Sequence, residues 1–437
     1  MNDWFGSVPT DWTATALKHM VTEITDGAHI SPETSGGVFD FVSTRDLSPG
    51  GIDFEGSLKT SPETYEYMVR AGCQPLDGDV LFSKDGTVGR TVVVRGNHPF
   101  VVASSLIIIR PNQDKLTSRF LDYLCQSHGV QEQVRSFVKG AGLPRLSIAS
   151  LRRIDGVFPP LPEQQRIADF LDRETGEIDA FIADQEELVA VLQERREAVV
   201  THAVTEGLNA GAPTKNSGVA WFGDIPLQWQ LRKLKSIVST PITDGPHETP
   251  EAQSSGVPFV SAEAVSSGAV DFEKIWGFIS REDHARFSRK YKPQRGDIYM
   301  VKSGATTGIC AIVETDLEFN IWSPLAAIRC GASALPRFVL HSLRSHNFQD
   351  SVALHWNYGT QQNIGMKVIG NLSIPLPPLE EQAEIAAYLD RETAEIDAVI
   401  ADAKEAIEVS KERRAALISA AVTGKIDVCN HVATMGV

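Results

Sequence analysis

The stretch LDRETGEIDAFIAD fills residues 171–184, and LDRETAEIDAVIAD fills residues 389–402, 218 positions later with two residues changed. The match widens on both sides. Residues 158–208 align with 376–426 without a gap, and 28 of the 51 positions are identical. Both blocks open at a double proline, PPLPEQ at Pro159 and PPLEEQ at Pro377, and both close at Ala-Val-Thr, residues 203–205 and 421–423. Outside them the likeness thins but keeps its register. ITDGAH at Ile24 returns as ITDGPH at Ile242, and GDVLFSKDG at Gly78 returns as GDIYMVKSG at Gly296. WFGSVPTDW at Trp4 returns one position out of step as WFGDIPLQW at Trp221. The duplication therefore covers the chain. It divides it into a first head (1–157), a first conserved segment (158–210), a second head (211–374) and a second conserved segment (375–437). The conserved segments barely differ, while the heads share only a framework, which points to two different tasks.

From residue 163 to 206 the first conserved segment has no proline and one glycine, Gly176, whose counterpart is Ala394. Ile167, Leu171, Ile178, Ile182, Val189, Leu192, Val199 and Ala203 recur at spacings of three, four and seven, and Ile385, Leu389, Ile396, Ile400, Ile407, Leu417 and Ala421 do likewise. This spacing predicts one long helix per segment with a single apolar stripe. Asp169, Arg173 and Glu177 are spaced to pair along its outer face. Each stripe is narrow on a polar helix, so each helix wants a similar partner, and the nearest is the other copy. Chain order makes that pair antiparallel. The fold class expected is thus α/β or α+β heads plus long helices: two related domains separated by an antiparallel two-helix coiled-coil rod with an approximate two-fold. About 30 helical residues span roughly 45 Å, near 13 base pairs of duplex. Such an object could read two sites at a fixed spacing, as dimeric DNA binders read half-sites. A coiled-coil adaptor joining two protein ligands fits the periodicity equally well, so the heads must decide.

The chain has 437 residues, enough for two or more domains, and a formal charge of −15. That charge argues against nucleic acid only until it is divided. The two heads carry −3 and +2, and the two conserved segments −8 and −6. A near-neutral head can still present a basic face. The opening MNDWFGSVPTDW lacks the basic start and apolar run of a signal peptide, and the apolar run 100–110 is too short to span a bilayer. Five scattered cysteines without a CxxC pair suit a reducing, cytoplasmic setting and argue against a zinc site.

In the heads, β-branched stretches at 92–94, 101–109, 309–313 and 326–329 read as strands, and 117–127 and 334–345 as short helices. Four loops are candidates for binding. The first holds Ser83, Lys84 and Thr87, matched by Lys302, Ser303, Thr306 and Thr307. It combines cation, hydroxyl and glycine, the groups that contact phosphates; a hairpin turn with an exposed lysine is the other reading. The second is the basic run of Arg281, Arg286, Arg289, Lys290, Lys292 and Arg295 around Tyr291, unless it is a solvated face. The third holds Lys139 and Arg145, matched by Asn357, Tyr358, Gln361, Gln362 and Asn363. Asn, Gln and Arg are the side chains that read base edges, and the two heads differ here; a plain connector remains the alternative. The fourth pairs Asp26 with His29 and Asp244 with His247. We read it as turn-forming rather than catalytic or metal-binding.

No GxxxxGK[ST] phosphate loop, second zinc-spaced histidine, GxSxG elbow or amino-methyltransferase NPPY-type motif occurs, so catalysis by this chain is not expected. The duplicated PPLPEQQRIADFLDRETGEIDAFIAD and PPLEEQAEIAAYLDRETAEIDAVIAD, with WFGDIPLQW and the ITDGxH and GDVLFSKDG framework, resemble the specificity (S) subunit of type I restriction–modification systems. The resemblance covers essentially the whole chain. It implies that the heads are target recognition domains, each reading half of a bipartite, asymmetric double-stranded DNA site. It implies that the helices, including Leu171, Arg173, Ile178, Ile182, Leu389, Arg391, Ile396 and Ile400, set the gap and bind two modification subunits. Those subunits methylate adenine N6 from S-adenosylmethionine. Restriction subunits add ATP- and Mg-dependent translocation and cleavage, and this chain itself holds no cofactor.

Overall fold

A double proline ends a strand ladder, and the fixed φ of proline suits the first turn of a helix. At Pro159 and Pro377 the chain accordingly passes from strands Asp155–Phe158 and Ser373–Leu376 into helices Leu161–Thr205 and Leu379–Ala421, of 45 and 43 residues. The computed structural model describes residues 4–426 and 428, apart from 28, 31, 34, 36, 49, 139–143, 356 and 359–361. No helix among the described residues is long and apolar enough to cross a membrane.

The chain divides into two compact units, residues 1–186 with 404–437, and residues 187–403. In the first, an antiparallel sheet runs in the order Val21–Asp26, Leu106–Pro111, Val80–Ser83, Thr91–Val93. A second sheet sets Phe39–Val42 between Leu58–Thr60, antiparallel, and Phe100–Val102, parallel. Thr13–Ala16 pairs with Asp155–Phe158, the strand that leads into the long helix. The second unit repeats this plan. Its four-stranded order is Thr243–Asp244, Leu325–Ile328, Ile298–Val301, Cys310–Ile312. Val257–Val260 lies between Gly277–Ile279 and Asn320–Ile321, and Gln230–Lys233 pairs with Ser373–Leu376.

The single strand expected over 101–109 is in fact two strands in different sheets, with a turn between them in which the Leu106 amide donates to the Ala103 carbonyl at 3.0 Å. Both halves are buried, so the apolar run hides the break. Gly27 lies against this turn. A Cβ there would stand 2.1 Å from the carbonyl oxygens of Val102 and Ala103, and one at Gly245 would stand 1.9 Å from that of Ile321. The glycine of each ITDG motif is a close-approach site.

Each unit packs its head on the start of one long helix and the end of the other, so the two helices run antiparallel within it. Ile167, Leu171, Ile418, Ala421 and Val422 join the core of the first head, and Val200, Ala203, Val204, Ile385 and Leu389 join that of the second. Polar clamps repeat at the 218-residue offset. The buried Gln164 accepts from the Thr117 amide (2.9 Å) and donates to the Lys115 and Pro159 carbonyls (2.8 and 2.9 Å). Gln382 does the same with Leu335, Ser333 and Pro377 (2.8, 3.0 and 2.8 Å). Ser419 Oγ accepts from the His128 amide (2.9 Å), and Thr201 Oγ1 from the His346 amide (3.0 Å). Each hydroxyl covers an amide that a helix start leaves free. Arg414 meets Asp179 at 2.8 Å in the first unit, and Arg196 meets Asp397 at 2.7 Å in the second. The outer-face ladder expected of Asp169, Arg173 and Glu177 does not form. Asp169 pairs with Arg119 of the head (2.7 Å), and Arg173 turns to its neighbour Glu174 (3.0 Å).

Candidate nucleic-acid interface

In each head a central strand runs out into the first candidate loop, and the third candidate loop returns beside it. The Lys84 carbonyl accepts from the Leu146 amide (2.9 Å), and the Gly86 amide donates to the Pro144 carbonyl (3.3 Å). In the second head the Lys302 carbonyl accepts from the Ile364 amide (2.9 Å), and the Gly304 amide donates to the Gln362 carbonyl (3.0 Å). An antiparallel bridge joins Asp85 to Arg145, and the same bridge joins Ser303 to Asn363. Two loops about 60 residues apart in sequence thus become one surface in each head.

The fourth loop ties in from below. Lys84 is buried and its ammonium meets Asp26 Oδ2, while His29 lies 3.2 Å from the same oxygen. Lys302, half-buried, meets Asp244 Oδ2 at 3.0 Å, with His247 at 3.1 Å and Lys290 at 2.5 Å from Asp244 Oδ1. Burial opposes the charge of Asp244, but hydrogen bonds from Lys290 and Lys302 outweigh it and hold the carboxyl below its ordinary range. Lys84 and Lys302, expected to contact phosphate, are instead internal cations paired with Asp26 and Asp244, and these aspartates are charge hubs as well as turn residues. Ser83 is also spent within its loop, donating to the Thr87 carbonyl and accepting from the Arg90 amide (2.8 Å). Thr307 is buried and donates to the Gly304 carbonyl (2.7 Å). Thr87 is exposed, and Ser303 and Thr306 are half-buried.

The basic run of the second head is largely balanced by acids. Lys292 and Arg281 share Glu318 (3.1 and 3.3 Å), Arg295 meets Asp316 (2.9 Å), and Arg286 meets Glu248 and Asp283 (2.5 Å to the latter). Arg289 is exposed, with no acidic partner among the described residues. In the third loop, Arg145 is exposed, Gln362 half-buried and Asn363 exposed. Asn357 and Tyr358 form a short strand paired with Gln362 and Asn363. Lys139 and Gln361 lie outside the described residues. No group of three or more His, Cys, Asp or Glu among the described residues is placed to hold a metal ion.

On the helices, Leu171, Ile178, Leu389, Ile396 and Ile400 are buried and Ile182 half-buried. Arg173 and Arg391 are exposed, their guanidinium groups 5.6 Å from the rings of Phe170 and Tyr388. Sequence reasoning missed Asp85, Gln164 and Gln382. The glutamines carried one signal, identity between copies at polar positions of the first helical turn.

A family model described as type I restriction modification DNA specificity domain matches twice, over residues 14–187 and 226–409. Each match takes in most of one head and more than half of the helix that follows. The chain is 24% identical over 432 residues to the type I restriction enzyme MjaVIII specificity subunit of Methanocaldococcus jannaschii, covering 97% of this chain and 95% of that one. It is 25% identical over 350 residues to the EcoBI specificity subunit of Escherichia coli, covering 78% and 72%. A chain from a solved structure concerned with complex assembly and conformational transition of the type I R-M system has the same fold. Its TM-score is 0.67 at 20% identity, over 96% of this chain and 100% of that one.

Proposed function

Because the chain belongs to the type I restriction–modification DNA specificity family, as a recognition subunit and not an enzyme, we propose that each head reads one half of a bipartite, asymmetric double-stranded DNA site. The long helices set the gap between the halves and dock two modification subunits that methylate adenine N6. S-adenosylmethionine belongs to those subunits, and ATP and Mg2+ to restriction subunits of the same cytoplasmic complex. The observation that carries this reading is where the two copies agree and where they differ. The Asp–Lys tie beneath the loops, with one partner buried in each head, and the clamps on the helices repeat position for position. The loop surface above the tie carries Asp85 and Arg145 in one head and Ser303 and Asn363 in the other. One framework thus presents two different surfaces, as two readers of different sequences require. Equal helices suit two copies of one partner. Phe181 and Val399 are exposed at matching positions, as are Val191 and Val409.

The test is a methylation map. The chain is expressed with its modification subunit in a host lacking adenine methylation, and N6-methyladenine is located by single-molecule sequencing. A two-part motif with a fixed unspecified gap is the expected result. No methylation from a complex shown to be assembled would remove the DNA-reading role of the heads.

A further inference from the structure

One arginine on the loop surface of the first head has its charge already met by a carboxylate. Arg145 Nε and Nη2 donate to the two carboxylate oxygens of Asp85, at 2.7 and 3.0 Å. The side chain of Arg145 is 61% exposed, while that of Asp85 is 11% exposed. The acid is thus sunk beneath the arginine and grips one edge of its guanidinium. Nη1 has no acceptor among the described residues, so the outer edge, formed by Nη1 and the second Nη2 hydrogen, faces away from the acid. Both residues grow from one backbone ladder, the Asp85–Arg145 bridge, braced by the Leu146 amide on the Lys84 carbonyl at 2.9 Å.

A cation already neutralised by a carboxylate releases few counterions from a phosphate backbone, and the carboxylate itself repels phosphate. The pair keeps geometry: a planar two-donor edge held in one orientation at low entropic cost. That edge matches the O6 and N7 acceptors of guanine in the major groove. We propose that Arg145, positioned by Asp85, is a specificity-determining residue that reads one guanine in the half-site of the first head. The second head has Ser303 and Asn363 at these places and lacks this contact. The inference rests on the DNA-reading role proposed above and goes beyond it by naming the base and the reader.

The experiment uses the full chain in complex with its modification subunit. The wild-type methylation map is taken first, then maps for Arg145→Ala, Arg145→Lys and Asp85→Ala. In one half-site, a single guanine position is expected to become degenerate in Arg145→Ala, with every other position and the whole second half-site unchanged. Arg145→Lys keeps the charge but not the fork, and should relax the same position. Binding to duplexes carrying each of the four base pairs there gives the size. A guanine preference of roughly ten- to a hundred-fold in the wild type should fall to about threefold or less, with the salt dependence of binding unchanged. This binding comparison also decides the case if Arg145→Ala abolishes methylation. A preference that persists in both arginine variants overturns the inference. So does a uniform weakening over the half-site with a shallower salt slope, the mark of a phosphate contact. A wild-type map with a bipartite motif but no G·C pair in either half overturns this inference alone. A wild-type map without a bipartite motif overturns the broader reading.

Discussion

Lys84 has the local sequence of a loop cation, because hydroxyls and glycine flank it, and nothing local says otherwise. Its fate is decided by Asp26, 58 positions away, which only the paired strands bring near. The consequence is testable. Lys84→Met keeps the bulk of the stem and removes the charge, leaving the Asp26 carboxylate with His29 as its remaining partner among the described residues. We expect a loss of about 3 kcal/mol in unfolding free energy, as when one partner of a buried pair is removed. Lys302→Met should lose less, because Lys290 still meets Asp244 at 2.5 Å. Chemical denaturation compares the two; equal losses would count against the charge-hub reading. A second residue-scale test concerns pH. His341 lies 2.8 Å from Asp390 and is buried. Burial pushes its pKa below the usual 6.5 and outweighs the pull of Asp390, with Arg344 and Arg337 adding to the depression. Well above pH 6.5 the ring is neutral folded and unfolded, so it contributes no pH dependence there. As pH falls through 6.5 the unfolded chain binds a proton that the folded chain resists, and stability declines until the folded imidazole titrates too. The first head has Tyr123 at this position, donating to Asp172 at 2.7 Å. Denaturation of His341→Tyr should therefore show a smaller decline between pH 7 and 5 than that of the wild type.

At the scale of elements, the long helices were legible because their signals are local: a proline pair, a long stretch without breakers and a stripe with helical period. Their stability can be adjusted on the same grounds. Gly176 lies inside the first helix, a Cβ there meets nothing within 4 Å, and the second copy has Ala394. Gly176→Ala should stabilise by about 0.5–1 kcal/mol, read as a raised melting temperature with the fold unchanged. Gln164→Leu acts the other way. It strips partners from the Thr117 amide and from the Lys115 and Pro159 carbonyls, and should cost roughly 3 kcal/mol. A loss under about 1 kcal/mol would mean that the clamp is dispensable. What could not be read locally is how elements meet. The run 101–109 divides between two sheets because Val102 and Leu106 have different partners, each far away in the chain. The candidate loops were located, but their convergence depends on bridges such as Asp85 to Arg145. No periodicity encodes a bridge across 60 residues.

At the scale of the molecule, the duplication predicts how half of the chain behaves. Asp179 meets Arg414, and Arg196 meets Asp397. Shifted by 218 positions these are the same pair, and both of its members, Asp179 and Arg196, occur in the first helix. The core of the first head also takes Ile418, Ala421 and Val422 from the end of the second helix. Their equivalents in the first helix are Val200, Ala203 and Val204. A chain ending at residue 210 therefore lacks its partner helix but carries a near copy of it. Two such chains, antiparallel, can each supply the other with that apolar end, with Thr201 covering the His128 amide as Ser419 does in the full chain. The exchange of Ile418 for Val200 removes one methylene, a cost of about 1 kcal/mol per site, small beside the rest of the buried contact. Residues 1–210 should accordingly form a homodimer, measured by light scattering at micromolar concentration. Asp179→Arg sets arginine against arginine at both bridges and should weaken it. Asp179→Arg with Arg196→Asp restores the pair in reversed order and should recover it. A half-chain that stays monomeric, or a dimer indifferent to both changes, would show that the helices pair through contacts the two copies do not share. A dimer that follows the charges carries the proposed function one step further. Two copies of the first head, with the modification subunit, should then methylate a palindrome of the first half-site.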